Sequence, residues 1–131
     1  MLITPFYGAI FAFILVVLSV RTLRLRRKLK VAIGHGNQPT LERAMRAHAN
    51  FCEYVPMTLL LIFFLESLTA TTWWIHLLGI SLLIGRTVHA FGVSQVSETY
   101  LFRVFGMAMT FTVIVFTSVR ILMAYLLQIF G

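Results

Sequence analysis

The chain is short of charge and almost free of cysteine. Charged residues fill 11% of its 131 positions, where a soluble domain carries about 25%, so a water-soluble fold is not expected. The single cysteine, Cys52, excludes an internal disulfide. The four histidines, His35, His48, His76 and His89, are dispersed and lack the paired Cys/His spacing of zinc sites, so no metal is expected. Phosphate loops and dinucleotide fingerprints are missing, as are internal repeats and low-complexity tracts. No basic n-region precedes the first apolar segment, which argues against a cleavable signal peptide.

What the chain does have is apolar length. Its residues are 60% hydrophobic and its mean hydropathy is +0.92. Four apolar stretches stand out, near positions 5–20, 56–70, 73–84 and 104–130. With amphipathic extensions, each approaches the ~20 residues needed to cross a ~30 Å hydrocarbon core. The runs are continuous rather than alternating, which argues against a β-barrel. The sequence therefore reads as all-α: one integral membrane domain over residues 1–131, a four-helix bundle. The pattern predicts helices over about 5–30, 41–70, 73–91 and 99–130, with a turn-rich loop at Gly34–Thr40 and Thr40 as a helix N-cap. Pro56 falls inside the second helix, where it is expected to bend the axis. Trp73 and Trp74 mark a turn at the membrane interface.

The basic residues set the orientation. Arg21, Arg24, Arg26, Arg27, Lys28, Lys30, Arg43 and Arg46 surround the first connection, and Arg86 and Arg103 flank the third. The connection near Ala70–Trp73 has no basic residue. The positive-inside rule then puts both termini outside and connections 1–2 and 3–4 in the cytoplasm. The formal charge of +7 follows from this topology and from attraction to anionic head groups. These cations hug the bilayer and carry no reader motif, so nucleic acid is not an expected partner.

Residues 43–56 bring two arginines, a histidine, an asparagine and a glutamate into an apolar run. Ionisable groups in a span are expensive and usually mark a site. At about 100° per residue, Arg46, Asn50, Glu53 and Met57 share one stripe, with Arg43 beside it; Tyr54 lies about 80° away and His48 about 200° away. Asn50 is placed to bridge Arg46 and Glu53. Polar groups on opposite faces cannot both meet lipid, which favours a homo-oligomer with this helix near its centre. Arg86 and His89 share a face of the third helix. With Arg26, Arg27, Arg46 and Arg103 they are expected at similar depth, forming an electropositive pocket at the cytoplasmic boundary. Such a pocket suits a small anion bearing carboxylates or a thiolate, since arginine offers permanent charge and bidentate hydrogen bonding. Glu66 and Arg120 are expected to pair structurally near the outer face.

The string Arg43-x-x-Arg46-Ala-His48-x-Asn50-x-x-Glu53-Tyr54-x-Pro56 resembles the signature of the MAPEG family, membrane-associated proteins in eicosanoid and glutathione metabolism. The likeness spans nearly the whole chain and is greatest to small bacterial members. It implies a homotrimer, an inner-membrane location in a bacterium, and glutathione as co-substrate held between subunits near the cytoplasmic side. It further implies that Arg46, His48, Asn50, Glu53 and Tyr54 contact glutathione, that Arg26 contacts the tripeptide, and that Arg103 stabilises its thiolate. His89 is a further candidate contact. His89 and Val93 stand where the leukotriene-synthase branch has tyrosines, so the surroundings of the thiol differ. The function implied is a glutathione-dependent transferase or peroxidase acting on lipophilic electrophiles from the bilayer. The alternative is a non-enzymatic membrane protein that binds glutathione or anionic lipid as a sensor or scaffold.

Overall fold

The computed structural model describes residues 1–68 and 72–130. It contains four helices: α1 (Thr4–Leu29), α2 (Pro39–Leu68), α3 (Thr72–Ser94) and α4 (Tyr100–Phe130). All four are long and apolar enough to cross a membrane. In hydrocarbon a helix satisfies its backbone internally, which is why continuous apolar runs settle into this form. The expected boundaries hold to within a few residues, except that α3 runs on to Ser94, past the predicted end at 91. The predicted outer turn at Ala70 and Thr71 lies outside the described residues. Just after it, Trp73 and Trp74 stack with ring centroids 3.9 Å apart.

One expectation about the first connection changes. Thr40 does not cap α2, because Pro39 already begins the helix and the Glu42 amide donates to the Gln38 carbonyl at 3.0 Å. Proline suits a first turn, where its missing N–H is no loss. At the other side, α1 closes through Lys30 in the left-handed conformation, φ 55°, with the Val31 amide donating to the Arg26 carbonyl at 3.1 Å. The loop then passes close to itself. A Cβ on Gly36, whose φ is +56°, would lie 2.8 Å from a Val31 methyl.

α2 packs against each of the other three helices, and α3 does so as well, whereas α1 and α4 do not meet among the described residues. Half of the most apolar stretch of α3 is buried, against 11% of that of α4, so α3 sits at the centre and α4 at the rim. The core joins Tyr7, Phe11 and Leu18 of α1 to Phe51, Val55 and Ile62 of α2, Leu78 and Leu82 of α3, and Val113 of α4. Between α3 and α4 the backbones nearly touch. A Cβ on Gly106 would lie 2.5 Å from the Gly85 carbonyl oxygen and 2.6 Å from the His89 Cβ. Small residues that permit such approach are how membrane helices gain packing, since lipid provides no hydrophobic drive for them to associate.

The two ends of the bundle are tied differently. At the end holding the N-terminus, the Glu66 carboxylate accepts hydrogen bonds from the Ile3 amide and, at 2.9 Å, from the Thr4 amide. Glu66 therefore caps α1 from α2, and the predicted pairing with Arg120 is not made; Arg120 is exposed. The physical reason is that the first amides of a helix lack partners and carry partial positive charge, so a carboxylate satisfies them directly. Nearby, the Tyr7 hydroxyl lies 3.0 Å from His76 Nδ1. At the other end, the Arg21 guanidinium donates to Ser94 at the end of α3.

Candidate functional site

Three arginines meet at the end of the bundle where α2 and α4 begin and α3 finishes. Arg43, Arg46, Glu42, Val93 and Arg103 line a cavity of about 230 Å³. Arg43 and Arg46 stand there because they are three apart on α2, about one helical turn. Arg103 arrives from the first turn of α4. Glu98, from the connection 95–99, pairs with Arg43 at 2.7 Å and with Arg103 at 3.4 Å. The close approach of the Arg43 guanidinium holds the Glu98 carboxyl below the usual carboxylate range; burial opposes this, and the charges of Arg43 and Arg103 add to the lowering. Glu98 thus answers two of the three guanidiniums, and with Glu42 the acid on its wall the pocket keeps a surplus of positive charge.

A second cluster lies deeper. Arg86 is only 1% exposed. Its Nη2 donates to Asn50 Oδ1 at 2.6 Å and its Nη1 to Thr110 Oγ1 at 3.4 Å. The guanidinium carbon lies 5.5 Å from the Tyr54 ring centroid, within the range of cation–π attraction, and Tyr54 in turn packs on Phe111. Asn50 therefore answers Arg86 across the helix interface, and does not bridge Arg46 and Glu53 along its own helix. Arg86 Nε has no hydrogen-bond partner. Expected among the pocket cations, Arg86 instead lies below the cavity, because Asn50 and Thr110 hold it in the seam where it links α2, α3 and α4.

The remaining predicted residues fall in four places. Arg46 and Glu53 are both exposed, and among the described residues neither takes part in an ion pair. With Met57, Leu60 and Phe64 they form a strip of α2 that its own subunit leaves uncovered. His48 turns the other way, its Nε2 3.0 Å from Ser19 Oγ on α1. The polar residue on the far face of α2 thus has a partner inside its own subunit, and only the Arg46–Glu53 face is left for an assembly to cover. Arg26 donates to the carbonyls of Val31, Ala32 and Gly34, at 3.4, 3.2 and 2.9 Å, and its Nη2 reaches Met45 Sδ; it fastens the loop after α1 and does not line the arginine pocket. His89 is 2% exposed, held between α3 and α4 beside Gly106, with Nδ1 unpartnered. Sequence reasoning overlooked Glu98. The only signal for it was an acid in a short link flanked by arginines.

Set against known proteins, residues 4–123 match the profile of the MAPEG family. The chain is also 37% identical over 91 residues to the inner membrane protein YecN of Escherichia coli K12, covering 70% of each chain. The protein of the same name from Escherichia coli O6:H1 gives the same figures.

Proposed function

The chain belongs to the MAPEG family, and from that premise we propose that it is a glutathione-dependent membrane transferase or peroxidase. Its substrates are lipophilic electrophiles, and it works in a bacterial inner membrane with connections 1–2 and 3–4 on the cytoplasmic side. The observation that carries this reading is the cavity in which Arg43, Arg46 and Arg103 converge from two helices at one end of the bundle. Permanent cations suit the two carboxylates of glutathione. Arg103 is the candidate for the thiol, because a nearby cation favours the ionised form, and the thiolate is the nucleophile. The thiolate sulfur forms a bond to the electrophilic carbon as its leaving group departs, or to a peroxide oxygen as the O–O bond breaks.

The exposed strip from Arg46 to Phe64 supports a homo-oligomer, with a trimer as the family form. A charged pair facing hydrocarbon is costly, and a neighbouring subunit covering it would bring Glu53 beside a bound ligand. Glu53 then engages the glutathione amine. Calorimetry of glutathione on the detergent-purified protein tests this. Glu53→Ala is expected to weaken binding about 10- to 100-fold, the loss of a hydrogen bond between charged groups; an unchanged dissociation constant removes Glu53 from the site.

One feature favours a second reading. Val93 lines the pocket without a hydroxyl, where the leukotriene-synthase branch has tyrosine. Binding of glutathione or an anionic lipid without transfer fits that surface. Consumption of a generic electrophile that depends on glutathione separates the two.

A further inference from the structure

Glu98 is the one side chain of the connection 95–99 that is not exposed. Its carboxylate is 5% exposed, and its two oxygens are divided between two helices: Oε2 to Arg43 of α2, Oε1 to Arg103 of α4. Both of those arginines also line the cavity. A ligand carboxylate entering this end of the bundle would seek the same two guanidiniums, one to each of its oxygens. We propose that Glu98 is a built-in occupant of the anion seat, and that an anionic ligand binds by displacing it from Arg43 and Arg103. The inference deepens the reading of this pocket as a glutathione site and rests on it for the identity of the natural ligand.

The connection is suited to release. Gln95, Val96, Ser97 and Thr99 are all exposed. Its backbone is held by turn hydrogen bonds at its two ends, Gln95 to the Gly92 carbonyl and Phe102 to the Thr99 carbonyl. Segments with few buried contacts open at low free-energy cost. Leaving Glu98 in place while a second carboxylate enters would set like charges within a few ångströms, which disfavours both ionised forms. Exchange avoids that repulsion, since one carboxylate replaces another and the arginines stay paired. A further consequence is selectivity. A neutral thiol cannot displace Glu98, so the seat admits only ligands that bring their own negative charge.

The test is calorimetry of the wild-type protein and Glu98→Gln in detergent, each titrated with glutathione and separately with inorganic phosphate. Without the internal competitor, both anions are expected to bind Glu98→Gln about two- to fivefold more tightly, the scale of a partly exposed ion pair. Equal or weaker binding of both anions by folded Glu98→Gln overturns the proposal and makes Glu98 a positioning residue for the arginines. Tighter phosphate binding with no glutathione binding in either protein upholds the exchange and defeats the glutathione reading. Binding of neither anion to either protein defeats both. Hydrogen exchange of the wild-type chain covers the case of a variant that does not fold. Amides of 95–99 are expected to exchange faster on adding the anion, and unchanged or slower exchange overturns the proposal.

Discussion

The two ends of the bundle handle charge in opposite ways. At one end Glu66 meets the first amides of α1: one carboxylate, one helix terminus, and no side-chain cation involved. At the other, Arg43, Arg46 and Arg103 gather around a cavity with only Glu42 and Glu98 to balance them. In the first arrangement the carboxylate is answered within the chain, by the helix amides themselves. The second holds surplus charge in an open space, with an acid on a short exposed connection as its counterion. A charged residue in a membrane protein is therefore not in itself a mark of function. What separates the two ends is whether the folded chain already satisfies the charge.

The largest break in this comparison is expected from Gly106→Ala. Its new Cβ would meet backbone at 2.5 Å, so α3 and α4 must move apart, and overpacking of this kind costs about 1–3 kcal/mol. The expected outcome is a lowered Tm in detergent together with weakened glutathione binding, because Gly106 stands one turn from Arg103. Gly8→Ala is the control: a Cβ there meets nothing within 4 Å, and Tm should hold. Next, Glu66→Ala should cost about 1–3 kcal/mol by stranding two helix amides while glutathione affinity stays the same. A change in affinity without a change in Tm would reverse the assignment of the two ends.

At the arginine end, Arg103→Ala is expected to lower turnover at least about tenfold, the effect of a one-unit rise in thiol pKa, with a smaller effect on glutathione affinity. The pH profile of the rate should shift upward in the variant, and an unmoved profile with unchanged turnover takes Arg103 out of the mechanism. The smallest effect concerns acid. The carboxyl of Glu98 titrates below its ordinary value because the Arg43 guanidinium lies against it. Its contribution to stability is therefore fully present above the ordinary carboxylate range and is lost as pH falls through the depressed folded value. Thermal melts of wild type should fall toward those of Glu98→Gln over that acidic window, and a constant gap between the two would show that Glu98 does not act through its charge.

Much of the fold was legible because membrane spans are a local matter. Runs such as Pro5–Val20 and Val104–Phe130 have to be helices wherever they lie in the bilayer, and the cluster of basic residues at the end of α1 marks one side whatever the packing. The convergence of Arg46 and Arg103 at one end follows from alternating helix direction alone. The partners of individual polar groups were not legible. Asn50 pairs with a residue 36 positions away, Glu66 with one 63 positions away, and His48 with one on the preceding helix. Helical spacing ranks neighbours within a helix and says nothing of which face of another helix comes opposite. Arg26 shows the same limit, since a loop that folds back offers carbonyls no periodicity describes.

By itself, then, the sequence determined that the chain crosses the membrane four times, that its cations gather at one end, and that α2 carries a polar stripe. Hydrocarbon enforces the first by demanding internal backbone hydrogen bonds, and the 3.6-residue repeat enforces the last. Only the tertiary structure decided which of those polar groups are answered. Burial of Arg86 against Asn50, capping of α1 by Glu66 and the hold of Glu98 on Arg43 and Arg103 depend on how helices rotate against one another. That rotation is set by close contacts such as Gly85 on Gly106, where the absence of a side chain lets two backbones approach and so fixes what every neighbouring residue can reach.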